Sequence, residues 1–177
     1  MKKYKSMIIL LAVLVVFVGL YFVMQGISKK QAEKELEEDI LVTNMQELAK
    51  LQYTDGETTL SFVKENGVWY VESDKEFALD SAKVDEIENM LVDVMADRQL
   101  KGADELAAYG LETPAYTVTM KDVNGKETTL YIGNEVEANN YATTDDKTVV
   151  YTIGSTVADA LEFDLSAMEV VEEETTE

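Results

Sequence analysis

The hydrophobic pattern changes character along the chain. From Ser6 to Ser28 no residue is charged, and Met7–Met24 (MIILLAVLVVFVGLYFVM) is apolar almost without a break. A helix rises about 1.5 Å per residue, so this stretch can cross the roughly 30 Å hydrocarbon core of a bilayer. Residues 7–27 are therefore expected to form a single transmembrane helix behind a basic tail, residues 1–6. Residues 28–43 read as a stalk. Lys29–Asp39 (KKQAEKELEED) is polar, with helix formers and Glu/Lys neighbours at helical spacing, and Ile40–Thr43 is a brief β-type run.

Beyond the stalk the apolar positions mostly recur every second residue. Asn44-Met45-Gln46-Glu47 has the form of a capping box and predicts a single turn presenting Leu48 and Leu51. Lys50–Thr54, Thr58–Lys64 and Val68–Ser73 then alternate with Asp55-Gly56 and Asn66-Gly67, which predicts a three-stranded meander. Asp80 is a good N-cap, and Leu79 and Val84 stand at staple positions. The stripe Val84, Ile87, Leu91, Val94 and Met95, opposed by Asp85, Glu88 and Asp93, predicts a helix packed on the sheet. After a linker with one helical turn, Gly110 is placed to end that turn in the left-handed conformation, and Pro114 fixes an extended entry into the next strand. Tyr116–Lys121, Glu127–Ile132, Asn140–Thr143 and Thr148–Ile153 read as four strands, and Ser155 as the cap of a short helix through Leu161.

The stretch GETTL at 56–60 returns as GKETTL at 125–130, each time after a hairpin glycine and before an apolar-x-apolar pair, Leu60/Phe62 and Leu130/Ile132. The expected fold class is α+β: two antiparallel β-meander-plus-helix units behind a single N-terminal transmembrane helix. The units occupy an extracytoplasmic domain over 44–168, followed by an acidic disordered tail, 169–177.

Charge adds orientation. Lys2, Lys3 and Lys5 precede the apolar stretch, whereas Lys29, Lys30 and Lys34 after it are interleaved with acids, so the positive-inside rule puts the N-terminus in the cytoplasm and the domain outside the cell membrane. Residues 1–30 hold five of the fifteen basic residues and no acid, leaving ten basic against thirty-five acidic groups, a net of −25. Such a domain repels nucleic acid and anionic lipid, and no nucleic-acid partner is expected. The basic start and Gly26-Ile27-Ser28 also fit a cleaved signal peptide, although an h-region normally runs about 7–15 residues. Retention and cleavage both stand.

The chain has no histidine and no cysteine. This removes the Ser-His-Asp triad, the thiol nucleophile, the imidazole base and the usual zinc sites, together with disulfides and cysteine lipidation. The glycines form neither a GxGxxG nor a Walker loop. Asp122-x-Asn124-Gly125 does not keep calcium-loop spacing and reads as a hairpin turn, and Asp145-Asp146 as a solvated turn. No enzymatic activity, catalytic residue, cofactor or metal is expected. Trp69 and the tyrosines Tyr109, Tyr116, Tyr131, Tyr141 and Tyr151 are candidates for core, edge cover or a binding groove.

Asn66-Gly67-x-Trp69-x-Val71, a capped helix, Tyr109-Gly110-Leu111-x-x-Pro114, Leu130-x-Ile132-Gly133, and then Tyr141 and Val150 together resemble the bacterial extracytoplasmic domain of unknown function 4340 family over residues 44–168. That family is also found in auxiliary subunits of gliding-motility-type ABC transporters. The resemblance implies an α+β domain anchored beside the membrane and brings no catalytic residues. It points to Trp69, Tyr109, Gly110, Leu111, Pro114, Gly133 and Tyr141 as structural or interface positions. The expected function is a non-enzymatic binding or scaffolding role in the cell envelope, or that of an auxiliary or ligand-binding module of an ABC-type transporter. The expected partners are the membrane, through residues 7–27, and another envelope protein or an ABC transporter subunit.

Overall fold

The computed structural model describes residues 40–100 and 105–170, all within one contact unit, Asp39–Glu177. The strands are β1 (Ile40–Leu41), β2 (Leu48–Thr54), β3 (Thr59–Glu65), β4 (Val68–Val71), β5 (Met95–Leu100), β6 (Tyr116–Asp122), β7 (Glu127–Val136), β8 (Asn139–Thr143) and β9 (Val150–Gly154). They form one antiparallel nine-stranded sheet in the order β1-β5-β9-β8-β7-β6-β2-β3-β4. Helix α1 spans Ser81–Leu91, and α2 is a single turn, Thr156–Asp159.

This overturns the expectation of two meander-plus-helix units. The first strands of the two meanders, β2 and β6, pair with each other, β5 pairs with β9, and the result is one mostly β sheet over one core with, among the described residues, a single helix of any length. The second helix stops after one turn, and Ser155 makes no side-chain cap bond. The two ETTL copies flank the β2–β6 pair, so that Leu60, Tyr53, Val118 and Leu130 lie in one cross-strand row. The expected membrane span, residues 7–27, lies outside the described residues; among those described, no helix is long and apolar enough to cross a membrane.

The strands form where alternation predicts because each buries one face. Leu60/Phe62, Trp69/Val71, Val118/Met120 and Leu130/Ile132 all turn inward. In β2 the buried residues are Leu48, Leu51 and Tyr53, and the odd step from 48 to 51 is accommodated by a register shift between Leu48 and Lys50.

α1 starts as its cap predicts: the Asp80 carboxylate accepts from Ala82 N at 3.1 Å. It ends before Val94 and Met95, contrary to the five-residue stripe, because residues 42–45 seal its C-terminus. Thr43 Oγ1 donates to Leu91 O at 2.7 Å and accepts from Val94 N at 2.8 Å, and Val42 N and Met45 N donate to Val94 O and Val92 O. Val94 is buried beyond the helix, while Met95 opens β5 and is 43% exposed. The same bonds remove the turn expected at Asn44–Glu47. Met45 N donates to Val92 O, Leu48 N to the Glu88 carboxylate, and Glu47 O accepts from Val123 N.

Connectivity makes the sheet curl. Six strand steps separate β1 from β2, about 29 Å at ~4.8 Å per step, yet only residues 42–47 join them, spanning at most about 24 Å. The concave side holds Tyr53, Phe62, Trp69 and Met120 against Val84, Ile87 and Leu91 of α1. Leu111 and Val150 are buried outside this core. At the β4 edge, Trp69 N donates to Ser81 Oγ (3.1 Å) and Asp74 N to Val71 O (3.2 Å), which blunts further pairing. The chain returns at Glu169 and Val170, where Val170 N donates to Ala78 O; these two residues of the expected tail are paired, and 171–177 lie outside the described residues.

Candidate functional site

Four of the seven residues singled out by the resemblance, Tyr109, Gly110, Gly133 and Tyr141, meet on the convex side of β7 and β8. A 3-10 turn, Leu106–Tyr109, ends at Gly110 with φ +70°, the left-handed conformation. A Cβ added at Gly133 would fall on the Tyr109 carbonyl, and one at Gly110 on the Asn134 side chain, so the two glycines let the turn lie directly on β7. The Tyr109 and Tyr141 rings meet edge to face at 4.9 Å, and Leu111 is fully buried. Pro114, half-buried, lies just before β6. Trp69 belongs elsewhere, in the concave core.

Around Trp69 lies the domain's most concentrated charge. The Lys64 ammonium sits 2.9 Å from Glu88 and 3.4 Å from both Asp85 and Glu47, and 5.4 Å from the Trp69 ring centre. Trp69 Nε1–H donates to Asp85 at 3.0 Å, and Glu88 also accepts from Leu48 N at 2.6 Å. Glu88 was expected on the solvated side of α1 but is only 6% exposed, because it stands four residues after Val84 and one after Ile87, on the buried stripe. Helical spacing alone could have placed it there. Burial lowers the Lys64 pKa, but hydrogen bonds to Glu88 and Asp85 outweigh it and hold the ammonium above its ordinary value. Such a lysine is a fixed cation, unsuited to nucleophilic work. A cavity of about 510 Å³ lined by Met45, Gln46, Glu47, Lys64, Asp85, Glu88, Asn89 and Val92 opens beside it. Among the described residues no group of three or more Asp and Glu is arranged to hold a metal ion. Lys64 occupies the centre of the carboxylates.

A further surface is the convex face of β3-β2-β6-β7. Its registers align Thr59, Thr54, Thr117 and Tyr131 in one row and Ser61, Gln52, Thr119 and Thr129 in the next; Val63, Lys50, Lys121 and Glu127 form a third. None of these twelve side chains is buried. Lys50 and Lys121 are directly opposite, above a gap of about 290 Å³ lined by Lys50, Gln52, Thr119, Lys121 and Glu127. Lys50 leans away to Glu72 (2.6 Å), whose carboxyl is held below its ordinary range by Lys50 and then Ser61. Lys121 forms no ion pair among the described residues. Alternation marks these residues as outward-facing, but their juxtaposition follows from a register between strands far apart in sequence.

No curated protein and no solved structure matches the chain significantly. A family model described as Domain of unknown function (DUF4340) matches residues 69–172, from Trp69 past the whole Tyr109–Tyr141 cluster, and the chain belongs to that family.

Proposed function

We propose that this is a single-pass, membrane-anchored protein whose exterior domain binds or scaffolds another component of the cell envelope and carries out no chemistry of its own. The uncharged stretch from Ser6 to Ser28 supplies the anchor and the lysines before it the orientation. One observation carries the binding role. Four central strands present an ordered polar face, half-buried to exposed, while α1 occupies the opposite face. Antiparallel sheets often leave one face to water, and here that face carries rows of threonine, serine and glutamine side chains able to hydrogen-bond a partner. The chemistry-free reading rests on the lack of histidine and cysteine in the chain and on a Lys64 already committed to Glu88 and Asp85.

A second reading, an auxiliary or ligand-binding module of an ABC-type transporter, draws on the family resemblance. Cross-linking in intact cells, followed by purification of the full-length protein and mass spectrometry, separates the two. Transporter subunits among the products favour the auxiliary module, and other envelope components favour the scaffold. Recovery of the protein alone under several growth conditions counts against both. Protease shaving of intact cells tests the topology, with digestion of the domain expected.

A further inference from the structure

We infer that residues 40–46 form a load-sensitive strap: tension entering the domain from its N-terminal side peels them off as one unit, while the sheet from Glu47 onward stays folded. At rest the strap is closed, with Thr43 and Met45 buried. Nearly all its bonds go to one short stretch, Leu91 to Ala96. Ile40 and Leu41 pair with Ala96 and Met95, Val42 N donates to Val94 O, Thr43 Oγ1 joins Leu91 O to Val94 N, and Met45 N donates to Val92 O. Lys126 adds a bond from its ammonium to Asn44 O. These groups follow one another along the chain, so load entering at Ile40 meets them in turn rather than together.

Peeling stops at a clasp. Glu47 is held through its carbonyl by Val123 N and through its carboxylate by Lys64 at 3.4 Å, and Leu48 N donates to the buried Glu88 carboxylate. From Lys50 to Thr54 the chain is then paired with β3 on one side and β6 on the other, and Leu48, Leu51 and Tyr53 are fixed in the core. Load there has to break two ladders at once. The strap is thus a local opening unit, and the clasp yields only with the sheet. Detachment lengthens the connection by no more than about 24 Å, the reach of seven residues. It also frees Leu91 O and Val94 N and leaves the outer edge of β5, Met95–Leu100, unpaired among the described residues. The domain gives way by a fixed increment before its core bears load, and its surface differs once it has done so.

This goes beyond the binding role and rests on the anchored reading only for the source of the load. An applied force supplies that load instead, whereas protease shaving tests the anchor separately. The full-length protein in detergent is held in optical tweezers by short peptide tags, one inserted before Ile40 and one in the exposed β7–β8 turn at Glu137. The expected trace shows a first release of no more than about 24 Å, followed at higher force by unfolding of the rest. The chain has no cysteine, so Leu41→Cys/Met95→Cys, at a directly opposed and exposed pair, adds one disulfide that staples the strap to β5. Oxidised, it should abolish the first release, and reduction should restore it. Thr43→Val should speed the first release about tenfold at a given force and leave the later unfolding unchanged. A single rupture in the parent overturns the proposal, as does a first release that survives the oxidised disulfide. Equal acceleration of both events by Thr43→Val, or of neither, overturns it too.

Discussion

Replacing Glu88 tests the charge network beneath Trp69. One carboxylate does two jobs: it accepts the Leu48 amide at the start of the bulged strand, at 2.6 Å, and it pairs with Lys64 at 2.9 Å. Glu88→Ala removes both. The buried Leu48 N–H then has no acceptor, costing about 1–3 kcal/mol. Lys64 loses its nearest partner but keeps Asp85 and Glu47 at 3.4 Å, so only part of the roughly 3–5 kcal/mol for breaking a buried pair applies. A total of about 3–4 kcal/mol is expected. Glu88→Gln retains an oxygen for Leu48 N and should cost about 1–2 kcal/mol. Adding Lys64→Met to Glu88→Gln removes both charges while keeping that hydrogen bond, and should return stability to within about 1 kcal/mol of the parent. Urea unfolding of the full-length protein, followed through the single tryptophan, reports this directly because its indole N–H is bonded to Asp85 in the same network. Equal losses in Glu88→Gln and Glu88→Ala would show that Leu48 N does not depend on Glu88. A double variant worse than Glu88→Gln alone would refute the account of Lys64 as a charge held by its partner.

Other consequences are open to measurement. Gly133→Ala should cost about 2–4 kcal/mol, because its Cβ meets the Tyr109 backbone, which cannot step aside cheaply. Gly110→Ala meets chiefly the Asn134 side chain, with Asn134 N at 3.0 Å behind it, together with the left-handed penalty, so about 1–3 kcal/mol is expected, and Asn134→Ala should partly rescue it but not Gly133→Ala. Burial, then Glu162, raises the Tyr53 pKa, and Lys64 is raised as described, so the folded state holds both protons to higher pH than the unfolded chain does. That stabilisation is complete below about pH 10 and falls as pH rises through the folded values; alkaline unfolding followed through the tryptophan should show the decline, and a Tyr53→Phe variant should flatten it. Thr43→Val removes the hydroxyl joining Leu91 O to Val94 N and should cost about 1–3 kcal/mol in the same urea assay.

The first meander and the start of α1 were legible because their signals are local: Asp55-Gly56 and Asn66-Gly67 between alternating runs, and Asp80 before Val84. The turn ending at Gly110 was legible for the same reason. β5 was not. Its sequence, MADRQL, has no apolar alternation and is mostly exposed, so it is a strand by virtue of β9 and β1 on either side. The merger of two meanders into one sheet was equally hidden, since it rests on β2 pairing with β6 across the intervening helix and turn. At the candidate sites, Glu88 could have been placed on the buried face by counting turns, and Lys50 could have been read as outward, but nothing in the sequence puts Lys121 opposite it. Long-range register is a property of the whole sheet, settled by which faces can be buried together.

The β2–β6 pairing also has a kinetic consequence. A chain delivered N-terminus first presents β2 with its inner partner missing until Tyr116–Asp122 has emerged, and β5 must likewise wait for β9. Such non-local pairings slow folding and leave strand edges exposed in the interval. The early β2–β4 hairpins close their other border at once, through Ser81 and Asp74 on β4. Assembly is thereby directed inward, toward the half of the sheet still to arrive, and the last strands to emerge decide whether the domain matures or aggregates.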